Sequence, residues 1–487
     1  RTESEDLFYT KDIRGGLSSL PRSKRSLCFV LLIRAVHGIS EVAKSATTLT
    51  KQQMQSSHVA SIQSHFVQFA DFTARCIHGE SDPRCLLQLL ELLYNTQLTL
   101  CDWFLIKSSG NPSLTFPTEE FFDAVAPYYP IQFTPPPNNV HGVTREGLHD
   151  TLISVLSFTK MDEASREYRK PTMLSCSINL FLEPLLPGPS DEESPSSLEK
   201  LESLECISNL LFPIRKQKDG KQPDTAESEC SNLSFDEVRS LSSALISTHD
   251  EASVGTRHQG GDLSDQNKVL AERCRYLASR VARELEKVNK NGKLGLWERF
   301  VSEPLDKEMK KLALTPAFAK TSIAYEASLA TSGGPRTLRM CLAKGLGPLL
   351  GFLREHIDDS TENTLAAIHG IAAFTSSSNV ALSKSLSEGV ELTPHPLKPF
   401  AGEACNLLLT IVESKVSSQS LSLKTAASSC LECLLVSSLE RDLQLDDLTE
   451  RVCNFLKGLL ENLLMAKESD IVSDGDKLAD YRLVSSK

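Results

Sequence analysis

Two cysteines three positions apart, Cys430 and Cys433 in "CLEC", have the spacing most suited to soft-metal chemistry in this chain. A tetrahedral thiolate site needs four ligands, and no second pair lies nearby in sequence. Cys430 falls on an apolar helical stripe and Cys433 sits beside it, so both read first as small hydrophobes. His141, His149 and Cys176 are further candidate ligands, and the same arithmetic leaves them loop and surface residues. The expectation is therefore no bound cofactor and no metal.

Other catalytic patterns fail on spacing. "AKGLGPLLG" (Ala343 to Gly351) has glycines in the wrong places for a phosphate loop, and its proline removes an amide donor. Neither a His-Glu-x-x-His zinc helix nor a Gly-x-Ser-x-Gly elbow occurs. The carboxylates lie on charge-mixed helix faces and read as solvated. Arg273, Arg275, Arg280, Arg283, Lys287, Lys290 and Lys293 form a basic ridge, interrupted by Glu272, Glu284 and Glu286. Close ion pairs within the helix explain that ridge better than nucleic-acid contact. "RSKR" (Arg22 to Arg25) is too short to argue nuclear import. The reading is not an enzyme.

The totals narrow the class of protein. The 487 residues carry a net charge of −11 and a pI near 5.6, which disfavours autonomous binding to phosphate backbones. Apolar residues make up 40%, enough for a core, while aromatics reach only 6%. Leucine and small residues therefore do the packing, which suits helices. The thirteen cysteines are odd in number and scattered through helical segments, as in a protein with reduced thiols. "LCFVLLIRAV" (Leu27 to Val36) is too short to cross a bilayer and carries Arg34, so a buried helix is expected there. The chain starts at Arg1 and not methionine, which reads as a fragment or partial gene model.

Helical periodicity recurs along the chain. Leu148, Leu152, Val155 and Leu156 share one face, as do Leu198, Leu201, Leu204, Ile207 and Leu211. Leu270, Cys274, Leu277, Val281, Leu285 and Val288 form a third stripe. Leu365, Ile368, Ile371 and Ala372 form a fourth, and Leu423, Ala427, Cys430, Leu431, Leu434 and Leu435 a fifth. No run alternates as a strand would. "SLEKLESLECISNLL" and "SLKTAASSCLECLLV" share a register, the loose repetition expected of HEAT or armadillo units of about 40–47 residues. Ordinary helical bundles show the same periodicity.

The expected fold is all-α: a HEAT/armadillo-like α-solenoid of stacked antiparallel helix pairs with disordered polar insertions. Residues 1–212 form an N-terminal HEAT-like region. Residues 213–268 form a polar, partly disordered insertion with one short helix near Asp236 to Ile246. In it, Arg215 to Asn232 and Thr248 to Lys268 have linker composition. Further repeats span 269–465 and a polar tail spans 466–487; shorter loops cover Pro187 to Ser197 and Thr393 to Pro399.

One connection is unlike the rest. "YPIQFTPPPNNVHGVTREGL" (Tyr129 to Leu148) holds three consecutive prolines, each fixing φ and withholding an amide donor. Thr134 to Pro137 must run extended, as a polyproline rod. Asn138 and Asn139 supply turn chemistry, Gly142 relaxes the backbone, Thr144 caps the next helix and Glu146 suits its dipole. Tyr129, Ile131 and Phe133 are placed to pack on adjoining repeats. The stretch reads as a stiff spacer setting the angle between helical layers.

That segment resembles one in the large HEAT-repeat subunit of the cytosolic iron–sulfur protein assembly targeting complex, the methyl methanesulfonate sensitivity / nucleotide excision repair and transcription family. The matching positions are Pro130, Phe133, Thr134, Pro135, Pro136, Pro137, Asn138, His141, Gly142, Arg145 and Glu146. Upstream, "GESDPRCLL" matches through Gly79, Glu80, Asp82, Pro83 and Arg84, and "LEKLESLECI" (Leu198 to Ile207) resembles the helix that follows. The ordered set covers roughly the first 210 residues; insertions around Asp219 and Gly260 depart from the family pattern. The resemblance implies the N-terminal to central portion of a non-enzymatic adaptor of nucleus and cytoplasm. Its implied partners are a β-propeller subunit and a DUF59-type subunit. Its implied clients are iron–sulfur apoproteins of DNA metabolism (helicases, polymerases, primase), with no direct nucleic acid and no membrane. No family metal ligand maps onto this chain. A generic HEAT transport receptor of the importin type is the alternative.

Overall fold

A computed structural model describes residues 20–46, 58–105, 118–129, 131, 133–137, 142–159, 172–186, 195–213, 228–258, 262–290, 295–304, 306, 320–357, 362–387, 396–413 and 421–441, with 450, 454 and 457. All regular structure among these residues is helical, and the fold is an all-α, HEAT-like helical repeat. Two compact units divide it. The first comprises Arg1–Glu183 with Glu205–Leu233, the second Pro184–Leu204 with Ser234–Lys487.

The first unit contains α1 (Arg22–Ala46), α2 (His58–Ile77), α3 (Pro83–Leu105), α4 (Thr118–Val125), α5 (Arg145–Leu156) and α6 (Met173–Leu182). α1 and α2 flank α3, which also meets α5, while α4 bridges α2 and α6. Helix α7 (Ser197–Leu211) gives residues to both units. In the second, α8 (Phe235–His258) and α9 (Asp262–Lys290) make the most extensive helix pair. α10 (Lys320–Ser332) packs on α9 and on α13 (Glu362–Ser387). α11 (Pro335–Cys341) and α12 (Gly347–Glu355) lead into α13, and α14 (Lys398–Glu413) and α15 (Leu421–Arg441) close the series. Most packing joins a helix to neighbours close in sequence, as expected where each unit covers the next one's apolar face.

The stripes account for the core. Leu148, Leu152, Val155 and Leu156 are buried, as are Leu270, Cys274, Leu277, Val281 and Leu285. The α7 stripe loses its first member: Leu198 is exposed, and among the stripe's leucines burial begins at Leu204. Ser196 with Glu199, and Ser234 with Glu237, form reciprocal capping boxes that start α7 and α8. α13 has the length and hydropathy of a membrane span between Glu362 and Lys384, yet much of that stretch is buried within the protein, with Ile368, Ile371 and Phe374 in the core.

The linker expected over Thr248 to Lys268 is instead mostly helix, and the short helix near Asp236 to Ile246 runs on to His258. The apolar stripe Val238, Leu241, Ala244 and Leu245 continues through Thr248, His249 and Ala252, all buried. Thr248 and His249 are polar, so composition conceals their core position. The Thr248 hydroxyl donates to the Leu185 carbonyl at 3.1 Å, and the His249 ring lies 5.4 Å from that of Tyr325. Residues 214–227 and 458–487 lie outside the described residues.

Candidate functional site

The upstream motif builds the α2–α3 junction. Gly79 takes φ +83° just past the end of α2, a conformation costly for a residue with a Cβ. Asp82 starts α3: its Oδ1 accepts from the N–H groups of Arg84 and Cys85 at 3.1 and 3.2 Å, and Pro83 occupies the first helical position. Arg84 folds back on Asp82 through Nε and Nη2, each at 3.2 Å, and Arg22 Nε stands 3.6 Å away. Burial opposes the charge on Asp82, but the Arg84 hydrogen bond and the two backbone N–H groups outweigh it, holding the carboxyl below the usual aspartate range.

Glu80 ties a third helix to this junction. Its Oε1 accepts from Arg25 Nη2 at 3.2 Å and from the Asp82 N–H at 2.9 Å, with both side chains of the ion pair largely buried. The short basic run at Arg22–Arg25 is thereby explained, since two of its arginines face the motif carboxylates. The Tyr128 hydroxyl, placed by the 3-10 turn after α4, donates to the Ile77 carbonyl at 2.5 Å and reaches the Glu80 carbonyl at 3.0 Å. The residue just before the proline-rich stretch therefore meets the α2–α3 junction in space. Tyr128, one residue before the proline-rich stretch, was not singled out by sequence; its place beside the Tyr-Pro pair was the available signal. Burial pushes its phenol up.

Further along, Phe133 to Pro137 run without regular structure and Ile131 is buried. Arg145 Nε donates to the Ile131 carbonyl at 3.1 Å, fastening the connection to the first turn of α5. Thr144 caps α5 as expected, accepting the Gly147 N–H at 2.9 Å; Glu146 lies in the first turn and Gly142 takes φ +65°. Tyr129 stacks edge-on against Phe181 at 4.7 Å, lies 6.1 Å from His149, and accepts the Cys206 thiol. Pro130, Asn138 and His141 lie outside the described residues. His149 and Asp150 line a cleft of about 340 Å³ with Tyr94, Thr159 and Glu229. The Glu229 carboxylate there accepts from Thr159 at 3.0 Å and from Asn232 at 2.7 Å.

These arrangements hold backbone in place. Among the described residues no group of three or more His, Cys, Asp and Glu side chains is placed to hold a metal ion. Cys430 is buried in the α14–α15 region, and burial, with Cys433 and Cys405 nearby, pushes its thiol up. Burial raises Cys405 and Cys274 to about 12 and Cys341 well above the ordinary thiol range. Among the described residues no cysteine is disulfide-bonded.

A second polar centre was missed by sequence. Glu286, taken as one interruption of the basic ridge, is buried and points into the start of α11. It accepts from the Arg336 N–H at 2.9 Å, and from the Thr337 N–H and hydroxyl at 3.0 and 3.1 Å. Thr337 accepts Trp297 Nε1 at 3.1 Å, and the Arg336 guanidinium lies 4.1 Å from the Trp297 ring. Gly334, at φ +109°, leaves room for the carboxylate; a Cβ there would stand 2.7 Å from Glu286 Oε2. The fifty-residue separation hides this cap from any local pattern.

Residues 10–163 match the family model MMS19_N, described as Dos2-interacting transcription regulator of RNA-Pol-II. The chain is 36% identical over 155 residues to the MMS19 nucleotide excision repair protein homolog of Bos taurus, and 35% over 155 residues to that of Homo sapiens. Each alignment takes in 31% of this chain and 12% of the relative, so the chain spans about an eighth of the length of these relatives. The Xenopus tropicalis homologue is 36% identical over 98 residues, 19% of this chain and 8% of its own. No solved structure matches.

Proposed function

We propose that this chain, whose residues 10–163 match the MMS19_N model, is the N-terminal to central part of a non-enzymatic adaptor of the cytosolic iron–sulfur assembly targeting complex. It recruits apoproteins of DNA repair, replication and transcription for cluster insertion, in nucleus and cytoplasm, alongside a β-propeller subunit and a DUF59-type subunit. The iron–sulfur cluster is cargo for the client and is not a resident group of this chain. The observation that carries the reading is the ordered motif set, Gly79–Arg84 followed by Phe133–Glu146, inside the matched region. Those residues serve as caps, turns and an inter-helix ion pair, which supports a scaffold more than a reaction centre. A helical repeat of this kind offers extended surface for recruitment.

The test is affinity purification of the full-length protein from its own cells, with partners identified by mass. The expected result is recovery of the two targeting subunits and of iron–sulfur helicases, polymerases or primase. Recovery of a Ran-like GTPase without cluster-assembly factors would replace this reading with a transport receptor of the importin type.

A further inference from the structure

We propose that the outer face of α1 is a docking surface for an acidic amphipathic helix of a partner protein. α1 turns Phe29, Ile33 and Val36 inward, where it packs on α3. On the opposite side Lys24, Leu27, Leu31 and Arg34 recur at spacings of three, four and three, which places them on one face. Leu27 is 59% exposed and Leu31 56%, and the face continues through Ala35 and Gly38, both exposed. A Cβ on Gly38 would meet nothing within 4 Å, so a second backbone can lie close there. The basic run at Arg22–Arg25 thus divides by side. Arg22 and Arg25 turn to the motif carboxylates, while the side chains of Lys24 and Arg34 make no hydrogen bond or ion pair among the described residues.

Charge selects the occupant. Two cations about 15 Å apart along the axis bracket a pair of leucines one turn apart. A second copy meets itself badly. The antiparallel register that stacks Leu27 on Leu31 sets Lys24 opposite Arg34, and a parallel pair sets each cation against its own counterpart. Sliding Lys24 to Glu41 brings Leu27 to Gly38 and Leu31 to Arg34, which separates the leucines. An anionic bilayer fits poorly too, since polybasic membrane segments carry about 4–8 cations and this chain has a net charge of −11. A helix with two leucines between two carboxylates matches every element, apolar surface against Leu27 and Leu31 and an ion pair at each end. An extended strand would press unpaired backbone N–H and C=O groups against the leucines, whereas a helix satisfies its own. α1 carries this surface whether or not the cluster-delivery role holds.

The experiment is fluorescence anisotropy on the full chain with a fluorescein-labelled, alanine-based helical peptide carrying Glu, Leu, Leu and Glu at the same spacings. Counterparts replace both Glu by Gln, both Glu by Lys, or both Leu by Ser. Phosphatidylserine vesicles and light scattering from the chain alone complete the set. The acidic peptide should bind, the Gln counterpart about three- to tenfold more weakly, and the Ser counterpart not measurably. Lys24→Glu with Arg34→Glu should weaken the acidic peptide at least about tenfold and let the Lys counterpart bind in its place. Leu27→Ser with Leu31→Ser, on exposed positions, should abolish binding while far-ultraviolet circular dichroism stays unchanged. Should either pair perturb folding, Arg34→Glu alone reads the same charge. No binding of the acidic peptide, equal binding of its Gln counterpart, failure of the charge swap, tighter binding of vesicles, or self-association of the chain that Leu27→Ser with Leu31→Ser removes would each overturn the proposal.

Discussion

Replacing Glu286 should unseat the start of α11 and loosen the second unit. In Glu286→Ala, the Thr337 N–H and hydroxyl lose their acceptor in the interior, while the Arg336 N–H, on an exposed residue, can turn to water. Two buried polar groups left without partners cost about 1–3 kcal/mol each, and relief from burying a carboxylate offsets part of this. The expected net loss is about 3 kcal/mol. Glu286→Gln keeps one acceptor oxygen but turns an NH2 group toward a donor, so its loss should be smaller, about 1–2 kcal/mol. Trp297 is fully buried and bonded to Thr337, so its fluorescence reports this unit directly. In a Trp103→Phe background, urea titration should give midpoints in the order parent, Gln variant, Ala variant. At slopes of about 1–3 kcal/mol per molar urea, the Ala variant's midpoint should fall by about 1 M or more. An unchanged midpoint, or a Gln variant weaker than Ala, would refute the claim that the carboxylate is a cap delivered from a distant helix.

Three other outcomes follow from the same geometry. Asp82→Asn should destabilise the first unit by about 1–2 kcal/mol at neutral pH. The folded carboxyl sits below its unfolded value, near 3.9. Its contribution is therefore fully present above that value and is lost as pH falls through the folded pKa. Acid titrations of parent and variant should accordingly converge only below about pH 4. Gly345→Ala should cost about 1–3 kcal/mol, read by the same urea titration, because its Cβ would stand 2.5 Å from the buried Phe374 ring; Phe374→Leu should recover part of it. Deleting Thr134 to Asn139 should leave helix content by circular dichroism nearly intact while reducing client recovery in the pull-down, and wild-type recovery would remove the spacer idea.

What was legible in the sequence was local. The leucine stripes of α5 and α9 read correctly because helix packing repeats every three or four residues, and Thr144 read as a cap because Ser and Thr perform that role within one turn. What stayed hidden depended on partners far along the chain. Arg25 looked like part of a basic run until Glu80, fifty-five residues away, turned it into a structural ion pair. The end of α8 looked like linker because its buried face is made of threonine, histidine and alanine. The motif residues were visible as a set, yet their work as caps and clamps required knowing that Tyr128 and the α2–α3 junction are neighbours.

The distribution of thiols has a practical consequence. Cys274, Cys341, Cys405 and Cys430 all lie in the second unit, enclosed and resistant to deprotonation. Alkylating reagents act on the thiolate, so these four stay silent while their helices are closed and react once they open. Brief pulses of iodoacetamide followed by peptide mapping would thus time the opening of each helix without any added probe, giving the molecule a chronometer of its own breathing.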